Sequence, residues 1–136
     1  HDIGKKEISR LVLEKARKDL NAEEVILYES HPMRGMQILQ SIPSISTDIL
    51  HIVAQHHENC LGQGFPQRLH RQAIHPMAKL VAIANDFCKL VVKNPSHNLM
   101  SPENAIHQMM IYSKNYEKPM LLALMEIFKI QKPTKF

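Results

Sequence analysis

The chain has 136 residues, a formal charge of +4, 44% apolar residues, 5% aromatics and two cysteines. That is enough for one domain with a real core, while no apolar run approaches the about 20 residues of a membrane span. Cys60 and Cys88, without a CxxC pair, exclude a disulfide scaffold and a zinc ribbon. No signal peptide is read. The chain opens on His1-Asp2 and not on Met, so it is expected to be the C-terminal part of a longer polypeptide, with the cytoplasm as its compartment. Basic residues are spread out, densest at Lys15, Arg17 and Lys18 and at Lys129, Lys132 and Lys135. They read as solvated helix faces and not as a nucleic-acid footprint. The charge does suit a small phosphorylated ligand.

His1-Asp2-Ile3-Gly4-Lys5 puts an imidazole beside a carboxylate. Neighbours on a helix diverge by about 100°, so the pair can ligate one metal each or grip one ion from two sides. Gly4 lets the backbone leave the helix near the site, and Lys5 can offer positive charge to a phosphoryl oxygen. Ser9 is expected to cap a short helix through Arg17. Asn21-Ala22-Glu23-Glu24 has the form of a capping box and opens a helix that ends near His31-Pro32. Pro32 suits the first turn of the next helix, in which Gly35 allows close packing. His31 therefore falls at a helix–helix corner, where a satisfied core or surface histidine is the ordinary reading.

Pro43 ends that helix, and Ser46 or Thr47 caps the next. Its Ile49, Ile52, Val53 and His56 follow i, i+3, i+4, i+7, with His57 further round and His51 facing solvent. Two imidazoles directed into one interior need a shared partner, either a metal or, in the plainer case, backbone carbonyls. Gly62-Gln63-Gly64-Phe65-Pro66 reads as a rigid turn with Phe65 packed down as a lid anchor, and His70 as solvated. Pro76 starts a helix whose Val81, Ala84, Asn85 and Cys88 are expected to share the buried face. Asp86 is then a surface carboxylate between Lys79 and Lys89. Ser101-Pro102 opens a helix burying Ile106, Met109 and Met110, with His107 on its wet side. Pro119 opens a last helix burying Leu121, Leu122, Leu124, Met125 and Phe128. The pattern predicts an all-α fold of six or seven helices. All four glycines, Gly4, Gly35, Gly62 and Gly64, lie within a few residues of a histidine, so the permissive backbone gathers near the candidate ligands.

In order along the chain, His1-Asp2-Ile3-Gly4-Lys5, His31-Pro32 with Gly35, His56-His57-Glu58, Gly62-Gln63-Gly64-Phe65-Pro66 and the helix from Ala78 to Leu90 resemble the HD-GYP family. This is a branch of the HD-domain metal-dependent phosphohydrolases. The resemblance implies a helical bundle spanning residues 1–136 and holding two divalent ions, iron or manganese. It implies a phosphodiesterase acting on cyclic di-GMP or a related phosphodiester. By position, His1, Asp2, His31, His56 and His57 match metal ligands, and Asn85 stands where the family has a ligand aspartate. Asp2 would bridge the ions, which activate a water as hydroxide for attack on phosphorus. Lys5 matches a lysine near the phosphate, and Gly64, Phe65, Pro66, Asn94 and His97 fall at substrate-binding positions. Phe65 replaces the tyrosine of Gly-Tyr-Pro, Leu61 and Cys88 replace acids, and Asn94 and His97 replace basic residues. Those departures give the alternative: a degenerate domain that binds a nucleotide, or a signalling partner through the Gly-Phe-Pro loop, without catalysis.

Overall fold

A computed structural model describes residues 1–92 and 99–130, and Asn94 and His97 lie outside them. Among the described residues there are seven α-helices and no strands, so the all-α expectation holds; one isolated bridge pairs Leu61 with His70. The helices are α1 (Arg10–Leu13), α2 (Ala22–Glu29), α3 (His31–Gln40), α4 (Thr47–Gln55), α5 (Pro76–Val91), α6 (Pro102–Ile111) and α7 (Lys118–Ile127). None is long and apolar enough to cross a membrane.

Most boundaries follow local chemistry. The capping box at Asn21 is complete: its side chain accepts from Glu24 N, and Glu24 accepts from Asn21 N. Such a cap is worth about 1 kcal/mol. Ser46, His75 and Ser101 cap α4, α5 and α6, and proline occupies the first turn of α3, α5, α6 and α7. One helix is shorter than expected. Ser9 caps α1 as predicted, but α1 stops at Leu13, and a separate 3₁₀ turn covers Arg17–Asp19.

The distal core joins α5, α6 and α7 through Ile83, Phe87, Ala105, Ile106, Met109, Leu121 and Met125. His107 is on the wet side as expected, whereas Phe128 is 39% exposed. The other half packs α3 between α4 and a 3₁₀ helix at Ile3–Glu7. Gly4 and Gly35 make this possible. A Cβ on Gly4 would lie 2.0 Å from the His31 carbonyl oxygen, and one on Gly35 would lie 2.9 Å from Val53 Cγ1. Gly4 thus serves close approach inside a helical turn; it does not let the chain leave one.

Two buried faces differ from the periodic reading. On α4, Val53 and Ala54 are buried with His56 behind them, while Ile49 is 40% exposed. On α5, the buried residues are Ala78, Ala82, Ile83 and Phe87, whereas Ala84 and Cys88 are exposed. The helix is rotated from the expected stripe because α4, α6 and α7 all pack on it, and its alanines permit the closest approach. Asp86 is consequently not an outlying surface carboxylate. It accepts from Tyr116 Oη at 3.2 Å and lines a cleft with Lys89. Lys79 turns elsewhere and pairs with Glu117 at 2.7 Å.

Candidate metal centre

Asp2, His31, His56 and His57 converge, each offering a donor atom within 4.8 Å of the others. His31 opens α3, and its Nδ1 donates to the Tyr28 carbonyl at 2.6 Å. His56 caps the end of α4, and its Nδ1 donates to the Val53 carbonyl at 2.8 Å. These bonds place each ring proton on Nδ1 and leave Nε2 as a bare lone pair. Both rings are fully buried.

The two Nε2 atoms are 3.3 Å apart, and each is 3.3 Å from Asp2 Oδ1. Three acceptors therefore form a nearly equilateral triangle with no donor among them. A proton is a poor filler, because burial, before any other influence, lowers the proton affinity of His56. A cation fits better. Bonds of about 2.0–2.2 Å at right angles put neighbouring ligand atoms about 3 Å apart. Asp2 Oδ1 and His57 Nε2 are also buried atoms without a hydrogen-bond partner, and such orphans are rare in folded proteins unless an ion or water answers them. The residues fit a metal.

Burial works against ionisation of Asp2, but the Lys5 ammonium on its Oδ2 favours the anion, and the carboxyl is held well below the usual range. The second oxygen, Oδ2, accepts from Lys5 Nζ at 2.7 Å and lies 3.6 Å from His1 Nε2. His1 is exposed and outside the four-residue group, although its ring centroid is 4.7 Å from that of His56. Asn85 lies on α5 with Nδ2 buried and unbonded, and no hydrogen bond joins it to the cluster. His51 is exposed beside His75, and His70 is exposed under Gly62.

Gly64 is buried against backbone: a Cβ there would meet Glu58 Cα and His57 O at 2.5 Å. Phe65 donates its N–H to the His57 carbonyl, and its ring stacks on His57 with centroids 4.4 Å apart. The lid-anchor expectation is met in that sense. The turn is held by Glu58, 3% exposed, which accepts from Gln67 N at 2.7 Å and Leu69 N at 2.9 Å. Asn59 Oδ1 accepts from Leu61 N and Gln63 N, and Gly62 supplies a φ of +72°. Beside the cluster a cleft of about 270 Å³ is lined by Arg17, Tyr28, Asn59, Gln63, Asp86 and Lys89 together with His57, Gly64 and Phe65. Arg17, Tyr28 and Lys89 were not singled out from the sequence as site residues.

Burial holds both His56 and His57 below their ordinary value of 6.5, and the charge of Lys89 adds to the effect on His57. Below about pH 6.5 the unfolded chain takes protons on these rings that the folded chain refuses. Metal-free protein is therefore expected to lose stability as pH falls from about 7 to about 5. Thermal unfolding in chelator at the two pH values checks this, and an unchanged midpoint would mean the folded cluster accepts protons readily.

Residues 1–119 match the HD domain family. The chain belongs to that family, the class that its helical bundle and His/Asp cluster define. Within it, the chain is a member of the HD-GYP branch. It is similar to an HDG"Y"P protein from Bdellovibrio bacteriovorus, at a TM-score of 0.76 and 26% identity over 95% of this chain and 40% of that one. Among curated relatives, a 3'3'-cGAMP-specific phosphodiesterase of Vibrio cholerae is 30% identical over 92% of this chain and 24% of its own length. A cyclic di-GMP phosphodiesterase of Thermotoga maritima is 30% identical over 95% of this chain and 35% of its own. The chain thus spans between a quarter and about a third of these curated relatives.

Proposed function

We propose that the chain is the catalytic unit of a longer HD-GYP protein, a metal-dependent phosphodiesterase acting on cyclic di-GMP or a related cyclic dinucleotide. One observation carries the reading: the convergence of Asp2 Oδ1 with the bare Nε2 atoms of His31 and His56. Two imidazoles and a carboxylate on one triangular face suit iron, manganese or a similar divalent ion. His31, His56, His57 and Asp2 would hold one ion. His1, 3.6 Å from Asp2 Oδ2, would join Asp2 in holding a second. When bound, such ions polarise a phosphoryl oxygen and lower the pKa of a water.

The chain's own groups do the rest. Lys5, held at Asp2 Oδ2, puts an ammonium beside the cluster, where it offsets charge on a non-bridging oxygen. Phe65, Tyr28 and Arg17 form one wall of the cleft, with the Arg17 guanidinium 5.1 Å from the Phe65 ring centroid and 5.6 Å from that of Tyr28. A nucleobase stacks on such flat faces. The relatives named for cyclic dinucleotides support that substrate class.

Metal analysis combined with a hydrolysis assay in manganese or iron tests the proposal. His56→Ala and His57→Ala are expected to lose most of their metal, whereas His51→Ala keeps it, since His51 is exposed outside the cluster. Equal retention by all three variants would refute the ligand assignment. Bound metal without release of linear dinucleotide or GMP would favour a binding domain over an enzyme.

A further inference from the structure

A second cleft, of about 200 Å³, opens beside α5 and α6 and is bounded by Gln108, Met109, Tyr112 and Tyr116. It shares Asp86 and Lys89 with the cleft of about 270 Å³ beside the cluster, so the two lie on either side of one wall. Tyr116 fixes that wall by donating its hydroxyl to Asp86 Oδ2. Each volume falls below the about 300–1,000 Å³ of a small-molecule site, and joined they fall within it. Tyr112 caps the end of α6 and is 58% exposed, more than any other Tyr or Phe among the described residues. Met109 in the same lining is buried, which gives the cleft an apolar floor below an aromatic rim. Gln108 adds an amide, which both donates and accepts. A flat ring with an amide nearby suits a nucleobase, since any base stacks on an aromatic face and an amide can read its edge.

We propose that this cleft is a second nucleobase subsite, so that one dinucleotide lays a base in each cleft with Asp86 and Lys89 on the wall between. The identity of the ligand rests on the phosphodiesterase reading, in which a cyclic dinucleotide brings two bases on one small ring; the pairing of the clefts does not need hydrolysis. With the phosphate at the metal cluster and the first base beside Phe65, the Tyr112 ring serves the second nucleotide alone. Removing it is expected to weaken a dinucleotide by about tenfold and to leave a mononucleotide unaffected.

The test is calorimetric titration of the manganese-loaded protein with GMP and, separately, with a linear guanosine dinucleotide whose bridging oxygen is replaced by methylene, which cannot be cleaved. Wild type, Tyr112→Ala and Tyr112→Phe are compared, with metal content and thermal midpoint measured on each. Wild type is expected to bind the dinucleotide more tightly than GMP. Tyr112→Ala is expected to lose about tenfold for the dinucleotide, with GMP affinity, metal content and midpoint unchanged. Tyr112→Phe, which keeps the ring, is expected to recover most of the loss. Equal wild-type affinity for the two probes would overturn the proposal, as would a Tyr112→Ala variant that binds the dinucleotide as wild type does or that loses GMP to the same extent. A wild type that cleaves no cyclic dinucleotide, yet binds the dinucleotide in a Tyr112-dependent way, would defeat the enzyme reading and support this one.

Discussion

Replacing Asp2 with asparagine is expected to empty the metal centre while leaving the chain folded. The carboxylate is the common neighbour of both buried imidazoles, with Oδ1 3.3 Å from each Nε2, and its other oxygen reaches Lys5 and His1. Asparagine keeps the shape but loses the charge that a hard cation needs. Its amide N–H can also donate to the waiting Nε2 lone pairs, so the metal-free pocket becomes satisfied by hydrogen bonds. Residues that merely orient metal ligands cost 10–100-fold when removed. A central ligand should therefore cost at least about 100-fold in metal affinity, with hydrolysis falling at least in parallel. Metal content after gel filtration and the thermal midpoint in chelator check both halves. Full metal occupancy in Asp2→Asn would place the ion elsewhere.

The second large effect is expected at Gly4→Ala, a substitution that touches no ligand. The added Cβ would lie 2.0 Å from the His31 carbonyl oxygen, 2.9 Å from its carbon and 2.7 Å from Gly35 N. All three are backbone atoms at the start and middle of α3, and none can rotate away. Relief requires the Ile3–Glu7 turn to separate from α3, which draws Asp2 away from His31. Overpacking of a tight interface costs about 1–3 kcal/mol and more where backbone must move. A fall of about 10 °C in the thermal midpoint is expected, together with reduced metal content. Lys6→Ala, at an exposed position on the same turn, serves as the control. A Gly4→Ala variant with wild-type midpoint and metal would mean that the turn is not held against α3.

The helical boundaries were legible because they are set by near neighbours. Asn21 with Glu24, Ser46, Ser101 and the prolines at positions 32, 76, 102 and 119 announce their helix starts through caps and missing donors. The His56-His57 pair, His31 at its corner and Asp2 stood out as ligand types in a suggestive order. The face of α5 did not. A stripe through Val81 and Cys88 and one through Ala78, Ala82, Ile83 and Phe87 are both apolar, and a helix flanked by α4, α6 and α7 is free to use either. That rotation decides whether Asp86 and Lys89 meet bulk solvent or a cleft. Glu58 was read within its motif, but its task of holding the backbone of Gln67 and Leu69 depends on a loop fold that no spacing rule gives.

By itself, then, the order of residues determined an all-helical chain, where most of its helices begin, and which imidazoles and carboxylate were available for a metal. The exposure of His51, His70 and His107 was already legible in the sequence, whereas tertiary structure alone decided that His31, His56 and His57 meet at Asp2. It also decided that Nε2, and not Nδ1, of His31 and His56 faces inward. The reason is physical. Caps and periodicity act over three or four residues, whereas His31 and His56 are brought together across 25 positions by α3 packing on α4 through Gly35 and Val53, and their protons are placed by two backbone carbonyls that only the folded chain puts within reach.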